Sequence, residues 1–256
     1  MTISILGMGN VGYHLLQVLS PLHHIVQVYN RTASKLETIL QQFPHIDFTT
    51  ELTHLLPADL YILAIKDDQI ASVAEQLCVP ANSLVVHTSG TVSSVVLHCF
   101  ENHGIFYPLQ TIRQQQAVAW QNIPICITAN KPETEQLLMA LGQQIAQNVY
   151  AISNEQRQWL HLAAVFVNNF TNHLYCMAHN IVSQHQIPFE LLKPLIIETA
   201  QKIQHQAPFE VQTGPAIRHD QQTIDTHLAL LHDSFPQYSA IYTWFSDSIG
   251  TAHRSS

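Results

Sequence analysis

The sequence predicts an α/β fold: a doubly wound parallel sheet followed by an all-α C-terminal domain. In the first half of the chain, short apolar runs typical of strands alternate with amphipathic segments of helical length, which is the pattern of a parallel sheet. After Ser153 no strand pattern remains, and apolar residues recur at helical spacing instead. A chain of 256 residues is long enough for both parts. We therefore expect a sheet domain over residues 1–150 and a helical domain over residues 151–256.

The individual elements follow from the same patterns. Strands are expected at residues 3–6, 25–29, 60–65, 84–87, 104–107, 123–128 and 148–151. Helices are expected at residues 13–19 and 132–141, then as one long helix over 154–184, and finally at 189–205, 223–231 and 238–249. Pro208 and the pair Gly214-Pro215 interrupt the helical pattern of the second half.

Charge and hydropathy exclude several classes of protein. Ten Lys and Arg residues against eighteen Asp and Glu residues give a formal net charge of −8, and there is no basic run. A nucleic acid is therefore not an expected partner. The apolar stretches are too short to span a membrane, and the first strand leaves no room for a signal peptide. We expect a cytoplasmic protein with no membrane partner.

The cysteines indicate neither disulfide bonds nor a metal site. Cys78, Cys99, Cys126 and Cys176 are widely spaced and form no C-x-x-C motif. We expect four buried thiols and no bound metal.

A glycine motif follows the first predicted strand and opens the first predicted helix. It reads Gly7-Met8-Gly9-Asn10-Val11-Gly12, the G-x-G-x-x-G pattern. In this context the glycines allow a tight turn and a close approach of the backbone to a pyrophosphate, which the helix N-terminus also attracts. The motif predicts a dinucleotide site, and the alternative is a purely structural glycine turn.

The residues after the second predicted strand favour NADP over NAD. NAD enzymes place an Asp or Glu there to bind the ribose 2′-hydroxyl, whereas this chain has Asn30-Arg31-Thr32. A guanidinium group can bind a 2′-phosphate through two hydrogen bonds. Alternatively, Arg31 only begins the next helix.

Two further strand ends are expected at the same edge of the sheet, where ligands of open α/β folds bind. Ala64, Ile65 and Lys66 end one strand, and Ser89 and Gly90 follow another. We expect these residues to contact the cofactor, with Ser89 beside the nicotinamide. Asp67 and Asp68 are expected to cap a helix rather than to transfer protons.

The helical half contains two groups of candidate residues. On a regular helix His161, Asn168 and Asn172 share one face, which either lines a cleft against the sheet domain or is solvated. His161 and His173 lie on different sides of that helix, which argues against a metal site. Arg218 either binds a substrate carboxylate or pairs with Asp220.

Taken together, these segments resemble a bacterial Rossmann-like family whose C-terminal region is domain of unknown function 2520. The matching segments are residues 7–12, 30–32, 87–90, 107–111, 161–173 and 213–216. The resemblance covers essentially the whole chain and implies an NADP-dependent oxidoreductase related to pyrroline-5-carboxylate reductases and deazaflavin-dependent NADP reductases. By analogy with this family we expect a homodimer.

More distant similarities point to other dehydrogenases, with changes at key positions. The layout is similar to prephenate dehydrogenases, in which the position of Ser89 is also Ser, but their catalytic His corresponds to Tyr107. It is similar also to β-hydroxyacid dehydrogenases, whose catalytic Lys corresponds to Val165, although Asn168 is retained.

The resulting functional prediction is an NADP-dependent oxidoreductase acting on a small carbonyl, imine or hydroxyacid substrate in the cleft between the domains. Tyr107 or His161 would transfer the proton, Ser89 and Asn168 would orient the reacting group, and Arg218 would bind a carboxylate. The alternative is a regulatory or scaffold protein that holds NADP without turnover.

Overall fold

The computed structural model describes residues 1–34, 39 and 41–253. Within this part of the chain, one sheet contains β1 (Thr2–Leu6), β2 (His24–Tyr29), β3 (Asp47–Thr49), β4 (Leu60–Leu63), β5 (Leu84–His87), β6 (Asn102–Pro108), β7 (Ile125–Ala129) and β8 (Val149–Ala151). Their order across the sheet is β3-β2-β1-β4-β5-β6-β7-β8. The chain order reverses between β1 and β4, which is where ligands bind in open α/β sheets.

The predicted doubly wound sheet is confirmed, and it contains one antiparallel pair. All neighbouring strands pair in parallel except β6 and β7. The connection between these two strands contains only the 3-10 helix Trp120–Asn122, and an antiparallel pair needs no crossover helix. Strand β3 was not delimited by the sequence, because its first two residues, Asp47 and Phe48, are exposed and form no apolar run.

Helices cover both faces of the sheet. Successive side chains of each strand point to opposite faces, so apolar strands present an apolar surface on both sides. Ile5 of β1 belongs to an apolar cluster that includes residues of helix α1 (Asn10–Leu19). The next residue, Leu6, belongs to a second cluster with helix α2 (Ile70–Gln76). Helix α3 (Pro132–Gln143) contributes to the first cluster. The sheet is therefore buried on both faces, and a ligand can reach it at the turns that follow the strands.

After β8 the described chain is helical, as predicted. The elements are α4 (Asn154–Ala164), a π-helical segment (Val165–Phe170), α5 (Thr171–Gln184), α6 (Lys193–Lys202), α7 (Gln221–Ser234) and α8 (Pro236–Ala252). Ser153 and Gln156 form a capping box that fixes the start of α4. None of the described helices combines the length and the hydropathy needed to span a bilayer.

The long helix predicted over residues 154–184 is interrupted by the π-helical segment. A π-helical turn closes its hydrogen bonds five residues apart instead of four and so contains an extra residue. A rotation of 100° per residue therefore does not apply across this segment. The observed backbone therefore does not support the prediction that His161, Asn168 and Asn172 share one face of a regular helix.

The chain divides into two compact units, Met1–Asn168 and Asn169–Ser256. The first contains the whole sheet together with α4. The change from strands to helices follows Ala151, next to the domain boundary expected from the sequence. Independent folding of residues 1–150 stays a prediction.

The burial predicted for the cysteines is wrong for three of them. Cys78, Cys99 and Cys176 are exposed, and Cys126 in β7 is buried. Free cysteines are usually buried, and nothing in the local sequence distinguishes the exposed ones.

Candidate functional site

The turn after β1 has the backbone shape that a dinucleotide phosphate requires. Gly7 has a φ of +100°, and a Cβ there would lie 2.5 Å from the carbonyl oxygen of Ala64. A Cβ at Gly12 would overlap the carbonyl oxygen of Gly7, whereas a Cβ at Gly9 would meet open space. Helix α1 begins after Gly9 with no side-chain cap and no acidic residue in its first turn. Its first N–H groups are therefore available to an anion.

Most of the predicted cofactor residues line one cavity beside this turn. The cavity has a volume of about 440 Å³, and its lining includes Gly7, Gly9, Asn30, Arg31, Thr32, Ala64, Ile65 and Lys66. Arg31 and Lys66 are cations, and no carboxylate belongs to the described lining. This charge suits a 2′-phosphate better than a ribose hydroxyl. The residues present thus fit an NADP molecule.

Asn30 holds the two sides of this cavity together. Its Oδ1 accepts a hydrogen bond of 3.1 Å from the N–H of Met8, and its Nδ2 donates one of 2.9 Å to the carbonyl of Thr32. The side chain therefore fixes the glycine turn relative to the end of β2. This contact assigns Asn30 a positioning role.

Two other predicted cofactor residues, Asn10 and Val11, lie in the first turn of α1. The Oδ1 of Asn10 accepts a hydrogen bond of 3.1 Å from the N–H of Gln114. One turn later, the Nε2 of His14 lies 3.0 Å from the carbonyl oxygen of Arg113. These contacts attach the connection between β6 and β7 to the helix that begins at the glycine turn.

The β5 turn, defined as residues 88–92, contains Ser89 and Gly90. Ser89 is buried, and its Oγ accepts hydrogen bonds from the N–H groups of Thr91 and Val92 at 3.1 and 3.0 Å. The N–H of Ser89 in turn donates to the Nδ1 of His87 at 3.2 Å. The Ser89 side chain thus stabilises the turn, and its predicted position beside a nicotinamide stays a prediction.

Asp67 links the ends of β4 and β5 instead of capping a helix. Its Oδ2 accepts a hydrogen bond of 2.6 Å from the hydroxyl of Thr91. Asp67 and Asp68 both lie in the first turn of the 3-10 helix Asp67–Gln69, whose N-terminal cap is Lys66. Neither aspartate therefore occupies the N-terminal cap of this helix, and the capping role predicted for them is wrong.

Tyr107 and His161 form a hydrogen-bonded pair beside the β5 turn. The Oη of Tyr107, at the end of β6, lies 2.9 Å from the Nδ1 of His161 in α4. A Cβ at Gly90 would overlap His161 Nδ1 and lie 2.9 Å from Tyr107 Cζ. The backbone of Gly90 therefore packs directly against both rings. The structure thus brings together three residues that the sequence predicts separately for the site.

The Tyr107 phenol is held in its neutral form. Burial raises the pKa of Tyr107 to about 12, and the nearby Cys126 thiol acts in the same direction, while the charge of Arg157 opposes them. A neutral phenol can donate a proton but cannot act as a base.

Arg157, which the sequence reasoning missed, is the most buried charged residue near this pair. Its side chain is fully buried and donates hydrogen bonds to the carbonyls of Ser89 at 3.1 Å and Val92 at 2.6 Å. A third bond of 3.0 Å goes to the Oδ1 of Asn154. Arg157 precedes His161 by four residues, so both side chains lie on one face of α4. An arginine in this charge-poor stretch was the signal available in the sequence.

His87 lies below the β5 turn as a neutral imidazole. Burial and, second, the charge of Arg157 lower the pKa of His87 to about 4. Its Nδ1 accepts the hydrogen bond from Ser89, so the proton of the neutral ring lies on Nε2.

The remaining predicted residues lie away from this cluster or in the other unit. The Nδ2 of Asn168, in the π-helical segment, donates a hydrogen bond to the hydroxyl of Thr111. Asn172 and the exposed Arg218 belong to the second unit. Asp220 caps α7 through Thr223, and hydrogen bonds from Thr223, with a smaller contribution from Arg218, lower the pKa of Asp220. A substrate-binding role of Arg218 stays a prediction.

Comparisons with known proteins identify two family models. Residues 2–90 match the model described as NADP oxidoreductase, coenzyme F420-dependent. Residues 123–249 match the model for domain of unknown function 2520. No protein with a curated description matches significantly. The second model is the one whose family the sequence resembles, so that resemblance is confirmed.

Solved structures show similarity over almost the entire chain. A protein of Bacteroides fragilis, provisionally assigned as an NADP oxidoreductase, is 36% identical, with 98% of each chain covered and a TM-score of 0.87. An imine reductase from Myxococcus stipitatus in complex with NADP+ is 14% identical, with 100% of this chain and 93% of the other covered and a TM-score of 0.71. A 1-pyrroline-5-carboxylate reductase from Streptococcus pyogenes is 15% identical, with 100% and 99% covered and a TM-score of 0.62. The last two similarities concern the fold alone.

Proposed function

Because the chain belongs to the family of NADP oxidoreductases that carry domain of unknown function 2520, we propose that it is an NADPH-dependent reductase of a small compound with a C=O or C=N bond. The observation that carries this proposal is the Tyr107–His161 pair, which lies against Gly90 at the end of β5. Oxidation of a hydroxyacid or amine would be the same reaction in reverse.

The cofactor would lie along the switch point of the sheet. The glycine turn and the start of α1 would bind its pyrophosphate, and Arg31 and Lys66 would bind its 2′-phosphate. The β5 turn would lie next to its nicotinamide. When bound, the cofactor supplies the hydride that the protein itself cannot provide.

The chain's own residues would supply the proton. Reduction of a C=O or C=N bond adds a hydride to carbon and a proton to oxygen or nitrogen. Tyr107 and His161 share one hydrogen atom in the hydrogen bond between them. The other available proton is on Nε2 of His161 if the phenol donates, or on Oη of Tyr107 if the imidazole donates. In either arrangement one member can protonate the substrate, and water then restores the proton that the pair has lost.

Two observations support an imine among the possible substrates. Two structurally similar proteins are an imine reductase and a 1-pyrroline-5-carboxylate reductase. Ser89, Thr111 and Asn168 are uncharged hydrogen-bonding residues of the same compact unit as the pair, and such residues can orient a small polar group. Arg218 would bind a carboxylate if the substrate carries one.

The test is NADPH oxidation over a panel of ketoacids, aldehydes, cyclic imines and hydroxyacids. With an accepted substrate, we expect Tyr107→Phe and His161→Gln each to lower kcat by about 10² to 10⁴, because each breaks the pair. Binding of NADPH should be retained in both variants. Tyr150→Phe, which alters an exposed tyrosine of β8, is the matched control and should keep full activity.

A second candidate function is an NADP-binding regulatory or scaffold protein. It is favoured by Val165 and Tyr107, which replace the catalytic Lys and His of the more distant dehydrogenases. This protein would bind NADPH tightly but would oxidise it with no member of the panel. Failure to bind NADPH at all would contradict both functions.

We also infer a cytoplasmic homodimer. Several large apolar side chains of the helical segments are exposed, among them Trp159, Val167, Leu195 and Trp244. Exposed apolar surface of this kind supports a contact between two copies. Sedimentation of the full chain at two concentrations tests it, and a monomer at both would contradict it.

A further inference from the structure

Arg157 is a fully buried cation that forms no ion pair with a carboxylate of the described residues. Its exposed fraction is 0%, and its hydrogen bonds go to two backbone carbonyls and one amide oxygen. Its Nε has no hydrogen-bond partner among the residues that the structure describes. Within the described part of the chain no ion pair involves it. An arginine stays protonated under such conditions, so the core beneath the β5 turn holds a positive charge that is not part of a direct ion pair.

This charge acts on the residues that surround the site. After burial, it is the second cause of the low pKa of His87, and it also influences Tyr107 and Cys126. Asp67 is the carboxylate that acts on Arg157 in return. However, Asp67 is exposed, and water screens its charge more than that of a buried group. We therefore expect the charge of Arg157 to outweigh that of Asp67 at the β5 turn, although Asp67 accepts a hydrogen bond from Thr91 in this turn.

We propose that Arg157 makes the protein bind NADPH more tightly than NADP+, because its fixed charge repels the cationic nicotinamide ring of the oxidised form. The proposal rests on the proposed function, in which the β5 turn lies next to the nicotinamide. Arg157 bonds the carbonyls of Ser89 and Val92 in that turn, so its charge lies directly behind it. The two cofactor forms carry the same phosphates and differ in charge only at the nicotinamide ring.

Such a preference would favour reduction of the substrate over the reverse oxidation. A protein that releases the oxidised form readily and retains the reduced form is loaded for reduction even when both forms are present. Arg157 is in this respect a specificity residue that acts on the cofactor's redox state, whereas Arg31 and Lys66 act on its 2′-phosphate.

The test measures dissociation constants of NADPH and NADP+ by calorimetric titration of the full-length protein. We expect the unmodified protein to bind NADPH about tenfold more tightly than NADP+. Arg157→Met should reduce this ratio to about two or less. Arg157→Lys keeps the charge but cannot bond all three acceptors, so it should lower the melting temperature and retain most of the ratio. This contrast separates the effect of charge from that of structure.

Two controls complete the experiment. Lys131→Met removes a partly exposed cation that pairs with Glu101 and should leave the ratio unchanged. The probe 2′,5′-ADP, which has no nicotinamide, should bind equally to the unmodified protein and to Arg157→Met. If Arg157→Met does not fold, Arg157→Gln removes the charge while keeping a hydrogen-bond donor.

Equal binding of NADPH and NADP+ to the unmodified protein would overturn the proposal and leave the proposed function standing. An unchanged ratio in a folded, uncharged variant would also overturn it. If neither form binds the unmodified protein, the proposed function itself fails.

Discussion

Gly90 is the residue on which the geometry of the candidate site depends most directly. It has an ordinary φ, so conformational freedom does not require glycine there. Space does, because the positions of His161 Nδ1 and Tyr107 Cζ leave no room for a Cβ. Glycine at this position allows the β5 turn to approach both members of the Tyr107–His161 pair.

We therefore expect Gly90→Ala to separate Tyr107 from His161. With an accepted substrate, kcat should fall by about 10²-fold or more, since the pair supplies the proton. Gly250→Ala is the matched control, because the nearest atom to a Cβ there, the carbonyl oxygen of Ala216, lies at 3.7 Å. Steady-state kinetics on both variants check the prediction, and equal activity of the two would contradict it.

Arg31 is expected to set the preference between NADPH and NADH. NADPH should bind at least tenfold more tightly, about 1.4 kcal/mol, because the cavity offers two cations and no described carboxylate to a 2′-phosphate. Arg31→Asp should remove or invert this preference. Fluorescence titration with both cofactors measures it, with Lys193→Asp in the second unit as control. Equal affinities in the unmodified protein would show the assignment to be wrong.

Helix α4 is the element that joins the helical part of the chain to the site. Its first turn contains Asn154, whose Oδ1 accepts hydrogen bonds from Arg157 and from the N–H of Ser94, and whose Nδ2 donates to the hydroxyl of Ser94. Two turns further along, His161 reaches Tyr107. The helix is thereby fixed to the residues that follow β5 before it presents its histidine.

Asn154→Ala should consequently destabilise the protein by about 1 to 3 kcal/mol, because it leaves part of a buried guanidinium and a backbone N–H without partners. Chemical denaturation measures the change in the free energy of unfolding. Asn148→Ala, in the exposed residues before β8, provides the comparison and should have little effect. A loss no larger than in this control would refute the role given to Asn154.

The elements also show what the sequence could and could not predict. Hydrophobic periodicity predicted the order of seven strands and of the helices that follow them in the second half, but not β3 or α2, because the alternation and the apolar spacing survive packing only where apolar runs are long. The π-helical segment at Val165–Phe170 was missed, since one extra residue in a turn leaves the apolar pattern almost unchanged. Arg157 was missed because a charged residue on a helix is normally exposed. Tyr107 and His161 were predicted separately, and only the fold shows that they are in contact.

At the scale of the whole molecule, acid stability should depend on His87. In the folded state its pKa is about 4 instead of 6.5, chiefly through burial. Between these values the unfolded chain binds a proton that the folded protein does not, so the contribution is complete above pH 6.5 and is lost as the pH falls towards 4. It amounts to about 3 kcal/mol at most.

Thermal unfolding between pH 4 and 7 tests this dependence. We expect the melting temperature of His87→Gln to fall less steeply with decreasing pH than that of the unmodified protein. His98→Gln alters an exposed histidine and should retain the original slope. Identical slopes for all three proteins would rule out His87 as the cause.

The division of the chain leads to a prediction about fragments. Residues 1–150 should retain NADPH binding, because the cavity and the glycine turn lie entirely within them. A fragment of residues 1–168, the first compact unit, should melt at a higher temperature because it keeps the bonds of Arg157. Calorimetry on both fragments checks this. A folded fragment 1–150 without NADPH binding would contradict the predicted boundary or the cofactor site.

The antiparallel pairing of β6 with β7 has a consequence for recombining this protein with its relatives. The second family model begins at residue 123, just before β7, and so includes two strands of the sheet as well as helices. A crossover in the connection before β7 would exchange that whole module, whereas a crossover after β8 would divide it. In either hybrid, Tyr107 would come from one parent and His161 from the other. Functional chimeras should therefore arise only between parents whose residues at these two positions can still form a hydrogen bond.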